Sequence, residues 1–348
     1  MVSAEILQKS TRNIGFDIAR GVAILLVVLG HSIQYIIPNF DENHLFRYIY
    51  SVHMPIFVFM SGYVTFRSSE RPVLGPNSLA GKCHQLLVPF FFWIPISYIA
   101  ISQIQCPPNF SPNFLSFIYE ISRSPASGGM WFLLVLFQCH LLLAVAFHIS
   151  KNHCMVVSWL ILVLINTAIL AAPGLNWLGF GLLRWYFMFF LLGYMSRQYS
   201  IGFKIGRMFV VAAIIFTIFG YFWSRKELPS FLLTTHPLTG SLKQLLVQLF
   251  GACTALAGIY TILSICTALA TTDSKRVHSF FTFFSSYSLP IYVGHYVFLY
   301  TAVNVVKSLY IDLATSAALV FLFALTGSIA QAYFLRKFRA TRRLFFGE

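Results

Sequence analysis

The stretch "DIARGVAILLVVLGHS" at residues 17–32 decides the fold. It is an apolar run of membrane character, yet Arg20 lies near its start and His31 near its end. The step from one to the other is eleven positions. At ~100° per residue this amounts to three turns plus about 20°, so an α-helix presents both side chains on one face. The helix rise separates them by about 16.5 Å, roughly half of a ~30 Å hydrocarbon core. Asp17, one turn before Arg20, is predicted to pair with it.

The whole chain has the composition of a membrane protein. Of its 348 residues, 58% are hydrophobic and 10% are charged. A soluble domain needs more polar surface than that to stay in solution. Apolar runs of about 20 residues, the length of one span, recur from end to end, and no segment alternates as the strands of a membrane barrel do. We therefore predict an all-α, polytopic integral membrane protein.

Ten candidate spans are predicted to form one bundle, and eight spans, without the sixth and seventh, are the alternative. Lys and Arg concentrate in alternate loops, which favours the cytoplasmic side for those loops and for both termini. The chain is predicted to be a single domain over residues 1–348, with its core at 16–337 and no extra C-terminal soluble domain. The segment 106–129 is predicted to be an irregular outer loop. The spans lie near residues 18–37, 47–66, 86–105, 131–149, 155–173, 180–196, 208–224, 242–269, 280–302 and 310–335.

The net charge of +14 does not indicate a nucleic-acid partner. The chain has no basic tract with interleaved aromatic residues of the kind that follows a phosphate backbone, and basic cytoplasmic loops account for the excess. We therefore expect a lipid bilayer around the protein and no nucleic acid among its partners. No Cys/His cluster has metal-ligand spacing, so no metal is expected.

Three histidines fall inside predicted spans at similar depth. His53 lies in "SVHMPIFVFMSGYV" (51–64) of the second span, and His295 ends "YSLPIYVGH" (287–295) of the ninth. Ionisable side chains are costly in lipid and usually line a cavity or pair with a partner. We predict that His31, His53 and His295 share a polar site. The alternative is that His53 and His295 bond each other or the backbone.

Two further positions are candidates for contact with a substrate or for support of the site. Ser61 and the glycine after it are small, which permits close approach of another helix. Trp131 lies in "GGMWFLLVLF" (128–137), where an interfacial aromatic anchor would also lie. Helix packing and membrane anchoring are therefore the alternatives for these two residues.

Five motifs, in order along the chain, resemble the membrane acyltransferase-3 family. This family includes the O-antigen and other surface-polysaccharide O-acetyltransferases and the Nod-factor and fucose acetylases. The resemblance covers nearly the whole chain. The motifs are "FDIARGVAILLVVLGHS" (16–32), "HMPIFVFMSGY" (53–63), "WFLLVLF" (131–137), "FFLLGYMSR" (189–197) and "YSLPIYVGH" (287–295).

The resemblance implies a donor and an acceptor on opposite sides of the membrane. It implies an acyl-CoA donor, usually acetyl-CoA, bound from the cytoplasm, with His31 as the catalytic residue and Arg20 as a donor-site residue. The acceptor would be a sugar hydroxyl of a surface polysaccharide or lipid-linked glycan, and the protein a multi-pass O-acetyltransferase of the cell (inner) membrane. An inner loop that is rich in arginine in some members is sparsely basic here. The further donor-site candidates are Asp17, Arg67, Arg71 and Lys82.

The chemistry of these residue types suits acyl transfer. A sugar hydroxyl is a poor nucleophile at neutral pH, and histidine, which titrates near neutrality, can take its proton. A guanidinium group matches phosphate oxygens. Direct attack with His31 as base and an acyl-histidine intermediate are both open. The alternative function is a transporter that uses intramembrane His and Arg for substrate or proton coupling.

Overall fold

The computed structural model describes residues 13–66, 76–102, 113–124, 129–150, 152–171, 177–232 and 240–348. Throughout these ranges the regular structure is helical, as predicted. The α-helices are α1 (Ile14–Ile36), α2 (His44–Thr65), α3 (Pro76–Ser102), α4 (Phe114–Arg123), α5 (Trp131–Ile149), α6 (Cys154–Ala171), α7 (Phe180–Gln198), α8 (Arg207–Phe222), α9 (Gly240–Ala270), α10 (Lys275–Ser286), α11 (Ser288–Lys307), α12 (Leu313–Leu335) and α13 (Arg339–Phe346).

Seven helices in the described part of the chain are long and apolar enough to cross a membrane: α1, α3, α5, α7, α9, α11 and α12. The other three predicted spans coincide with α2, α6 and α8. α6 and α8 are apolar but shorter, and α2 carries polar residues such as Arg47 and His53. The chain is thus a multi-pass membrane protein. The number of ten spans and the cytoplasmic position of both termini stay predictions.

α1 lies inside the bundle and carries both Arg20 and His31. It packs against α2, α9, α10, α11 and α12. Asn13 caps its first turn, where the Asn13 side-chain oxygen accepts a hydrogen bond from the Phe16 N–H at 3.2 Å. Because the first N–H groups of a helix have no intrahelical partner, this cap fixes where α1 begins.

α2 and α7 cross at unusually close range through two glycines. A Cβ built on Gly62 would stand 2.8 Å from the Phe190 carbonyl carbon, and one built on Gly193 would stand 2.8 Å from that of Phe59. Each glycine therefore faces the backbone of the other helix. Helix packing, the alternative given for residues 61–62, is thus what the structure shows at Gly62.

The ninth predicted span, 280–302, begins too early. Its first part belongs to the separate helix α10, which packs against α1, and α11 begins only at Ser288. Tyr287, at φ −99° and ψ 5°, separates the two helices. Pro290, which has no N–H, fits the first turn of α11 because no intrahelical donor is needed there. The polar run at residues 285–288, which reads "SSYS", marks the break in the sequence and was overlooked.

The prediction of an irregular loop over 106–129 is wrong for its middle part. α4 lies there, with Asn113 as its cap and Phe117 buried on its inner face. The amphipathic period of α4 favours a helix even though prolines and serines flank it. Residues 106–112 and 125–128 lie outside the described ranges.

Candidate active site

His31 is half-buried on α1 and is held through its Nδ1 atom. This atom lies 3.0 Å from Gln34 Oε1 and 2.8 Å from the Tyr50 hydroxyl. The Tyr50 hydroxyl itself donates to Gln34 Oε1. An amide oxygen only accepts, so a neutral imidazole that bonds Gln34 Oε1 through Nδ1 carries its proton on that atom. In this tautomer the Nε2 atom of His31 has the lone pair that a general base requires.

A tyrosine hydroxyl lies against the His31 ring. The Tyr296 oxygen is 3.0 Å from Nε2 and 3.3 Å from Nδ1 of His31, so both ring nitrogens lie within its reach. The two ring centroids are 4.8 Å apart. The position of the Tyr296 hydroxyl shows that a hydroxyl group fits within hydrogen-bond distance of His31.

The structure brings the three predicted intramembrane histidines together. The His31 ring centroid lies 6.4 Å from that of His53 and 5.3 Å from that of His295. Both neighbours use Nδ1 on their own helix: His53 on the Ile49 carbonyl at 2.8 Å and His295 on the Tyr292 carbonyl at 2.7 Å. Each therefore keeps an unprotonated Nε2. The His295 Nε2 is buried and has no hydrogen-bond partner among the described residues.

A cavity of about 480 Å³, here named the His31 cavity, opens beside this cluster. Trp131, predicted as a supporting residue, lines it and packs on Tyr186 with centroids 4.9 Å apart. Exposed Arg225 also lines it and pairs with Asp41 at 2.8 Å. Aromatic faces with a few polar groups between them can bind a ligand that has both apolar faces and hydroxyls. Other lining residues are Gln34, Tyr35, Tyr50, His53, Trp185, Trp223, Gln248, Tyr292 and Tyr296.

A second cavity of about 210 Å³, here named the Arg20 cavity, contains two of the predicted donor-site cations. Arg20, Lys82 and Ser61 line it. The Lys82 ammonium donates to Gln85 Oε1 at 3.1 Å. Two cationic side chains favour an anionic group at this place. Arg20 and His31 thus lie on one continuous helix but line two different cavities.

A buried histidine that the sequence reading passed over lies in the Arg20 cavity. His140 on α5 is buried, and its ring nitrogens lie 2.7 Å from the Leu136 carbonyl oxygen and 3.2 Å from the Thr65 hydroxyl. The rule that ionisable residues inside spans are candidate functional residues would have found it.

The other predicted donor-site residues lie elsewhere or outside the description. Asp17 is not among the residues that line either cavity. Its carboxylate accepts a hydrogen bond from Ser285 Oγ of α10 at 3.4 Å. Arg67 and Arg71 lie outside the described residues. Across the described ranges, no group of three or more His, Cys, Asp or Glu side chains has a geometry that could hold a metal ion.

The sequence reading also missed the polar neighbours of His31. Gln34 lies three residues after His31, so the helical period places it on the same face and provides a signal. Tyr296 directly follows His295, but its contact with His31 joins two spans and leaves no local pattern. Tyr50 lies one turn before His53, and helical spacing from that histidine would have drawn attention to it.

Curated proteins similar to part of this chain come from rhizobia. The nodulation protein NolL of Sinorhizobium fredii is 30% identical over 195 residues, which are 54% of this chain and 50% of that protein. The nodulation protein NolL of Mesorhizobium japonicum is 29% identical over 141 residues, 39% of this chain and 36% of its own length. The chain thus matches half or less of the length of these relatives. No solved structure matches it.

The family described as "Acyltransferase domain" matches residues 13–336. This range runs from the cap of α1 to the end of α12 and contains the lining of both cavities. It also contains all five motifs, so the resemblance to the membrane acyltransferase-3 group is confirmed, and with it the prediction of an acyltransferase at the level of the family. The chain belongs to this family of membrane acyltransferases.

Proposed function

We propose that the protein is an integral membrane O-acyltransferase of the cell (inner) membrane. It moves an acyl group from acyl-CoA to a hydroxyl of a sugar in a surface polysaccharide or lipid-linked glycan. The acyl group that we propose is acetyl. The observation that carries the proposal is the contact of a hydroxyl with His31 Nε2 at 3.0 Å, beside an aromatic cavity. On the predicted topology, the Arg20 cavity lies on the cytoplasmic side of that base.

The Arg20 cavity suits the donor. Arg20 and Lys82 supply positive charge for CoA phosphates, and apolar side chains such as Phe57 and Leu133 line the remainder. The rise of about 16.5 Å from Arg20 to His31 is comparable to the length of a pantetheine arm. The thioester would then meet His31 while the nucleotide stays near the cytoplasmic surface.

The acceptor hydroxyl would take the position that the Tyr296 hydroxyl now occupies at His31 Nε2. His31 removes its proton as the sugar oxygen bonds to the thioester carbonyl carbon. The carbon–sulfur bond breaks, and the departing CoA thiolate takes the proton back from His31. Gln34 keeps the imidazole oriented, because its carbonyl oxygen accepts from Nδ1–H in both protonation states.

The His31 cavity suits a sugar acceptor. The ring faces of Trp131 and Tyr186 offer stacking surfaces for the C–H faces of a pyranose. The side-chain amide of Gln248 and the guanidinium of Arg225 line the same cavity and can bond hydroxyl groups. This combination supports a glycan over an apolar acceptor.

The test compares His31→Ala with His148→Ala, whose side chain is exposed at the end of α5. Membrane vesicles with the cytoplasmic face outward receive radiolabelled acetyl-CoA, and covalent label is counted in glycan and lipid-linked fractions. His31→Ala should lower transfer by about 10²- to 10⁴-fold, as expected for loss of a general base, with unchanged membrane insertion. Normal transfer by His31→Ala refutes the role of the base, and uptake of label without covalent transfer would indicate a transporter.

The donor role of Arg20 has its own readout. Arg20→Ala should raise the KM for acetyl-CoA and leave kcat nearly unchanged, because the guanidinium binds ground state and transition state alike. If kcat falls while KM is unchanged, Arg20 does not hold the donor.

A further inference from the structure

Tyr292 is the one described residue that lines both the His31 cavity and the Arg20 cavity. It lies on α11, one turn before His295, and is 6% exposed. Phe132 packs edge-on against it with centroids 5.2 Å apart and lines only the Arg20 cavity. The boundary between the two cavities therefore includes the phenol ring of Tyr292.

The Tyr292 hydroxyl is tied to the start of α5 by two backbone hydrogen bonds. It donates to the Gly129 carbonyl at 2.9 Å and accepts from the Phe132 N–H at 3.3 Å. The Phe132 N–H is one of the helix N-terminal donors that has no partner within α5. Gly129, at φ +73°, lies against the Tyr296 ring, where a Cβ would stand 2.9 Å from its carbons. These contacts hold the phenol across the boundary.

We propose that Tyr292 is a latched partition between the donor side and the acceptor side of the site, and a positioning residue for the acyl group. The inference rests on the proposed function, because only then does an acyl group pass from the Arg20 cavity to His31. The latched ring keeps acceptor-side water from the thioester. The Tyr292 ring moves aside when the acylated pantetheine arm of the donor reaches it. Exchange of its hydrogen bonds to two backbone groups is easier than movement of a packed helix.

The partition predicts a specific side reaction when it is removed. Water entering through the His31 cavity would bond through its oxygen to the thioester carbonyl carbon, the carbon–sulfur bond would break, and acetate and CoA thiol would form. Tyr292→Ala should therefore raise the ratio of acetyl-CoA hydrolysis to acetyl transfer by about tenfold. Tyr292→Phe keeps the ring but loses the two backbone hydrogen bonds, so its ratio should lie between those of wild type and Tyr292→Ala.

A second readout does not depend on acyl transfer. Ser61→Cys places a thiol in the Arg20 cavity, and a small membrane-impermeant thiosulfonate reagent is added from the acceptor side. Labelling above that of the same chain without Ser61→Cys should appear with Tyr292→Ala and be absent with Tyr292 intact. Tyr310→Ala, at a side chain that is 98% exposed, is the matched control and should behave as wild type in both assays.

The outcomes separate the two proposals. Equal labelling with and without Tyr292, or a hydrolysis ratio that stays at the wild-type value in Tyr292→Ala, overturns the partition. Raised labelling in Tyr292→Ala supports the partition even if His31→Ala retains transfer, which would overturn the proposed function instead.

Discussion

Replacing Gly62 by alanine should force α2 away from α7. The new Cβ would stand 2.8 Å from the Phe190 carbonyl carbon, whereas carbon atoms in ordinary contact are ~3.5–4.0 Å apart. A backbone carbonyl cannot rotate away as a flexible side chain can. The helices must therefore separate by roughly 1 Å to restore normal contact distances.

The energetic consequence follows from two opposing effects. Overpacking costs about 1–3 kcal/mol, while alanine favours a helix over glycine by about 0.5–1 kcal/mol. The expected net loss in the free energy of unfolding is about 1–2 kcal/mol. Gly193→Ala acts at the same crossing, so the double variant should lose less than the sum of the two single losses. Because α2 carries His53 and α7 carries Trp185, the separation should also lower the transfer rate.

The assay is thermal unfolding of the purified protein in one detergent, followed by tryptophan fluorescence. Gly62→Ala should lower the apparent Tm by about 2–4 °C for each kcal/mol lost. Gly81→Ala is the matched control, since Gly81 lies in α3 and, apart from the adjacent residues and backbone of its own helix, no atom of the described residues lies within 4 Å of its built Cβ. The control should leave Tm unchanged or raise it. Equal Tm values for Gly62→Ala and Gly81→Ala would refute the close backbone contact between α2 and α7 at Gly62.

Three further predictions concern the site. Gln34→Leu should lower kcat by about tenfold with little change in either KM, because one hydrogen bond that orients His31 is lost; unchanged kcat would show that Gln34 does not orient the base. Trp131→Ala should raise the KM for the acceptor by about tenfold, the equivalent of one stacking contact, and leave that for acetyl-CoA unchanged. Lys82→Ala should raise the KM for acetyl-CoA alone, and equal shifts in both KM values would contradict the proposed donor role of the Arg20 cavity. All three are measured by steady-state transfer of radiolabelled acetyl groups.

Apolar runs and polar exceptions within them are visible in the sequence, and they predicted most of the architecture. The helices α5, α9 and α12 lie close to their predicted spans because lipid imposes one long apolar helix at each crossing. The break at Tyr287 escaped prediction because phenylalanines and aliphatic residues lie on both sides, although the serines around Tyr287 and Pro290 after it mark the break. The helix α4 was hidden by prolines and serines next to it.

The candidate site was predictable where an ionisable side chain stands in an apolar stretch of sequence. His31, His53 and His295 stand out because each is an ionisable group in an apolar run, and the structure places their rings within 6.4 Å of His31. Tyrosines are common in membrane proteins and do not stand out in the same way. The contact of Tyr296 with His31 therefore required the packing of α11 against α1.

The pairing of α1 with α11 explains why one helix carries two distant functional groups. Arg20 and His31 are fixed in relation to each other by the rigid rise of α1. In the proposed function, the distance from the donor phosphate to the base would therefore not depend on any loop. The side chains that a substrate can displace lie on α11, which packs against α1. There Tyr292 and Tyr296 are four residues apart and share a face. Tyr292 lines both cavities, and the Tyr296 hydroxyl lies 3.0 Å from His31 Nε2. Each is held in place by hydrogen bonds that an arriving substrate can replace. On the proposed function, α1 would set the length of the acyl path and α11 would control passage along it.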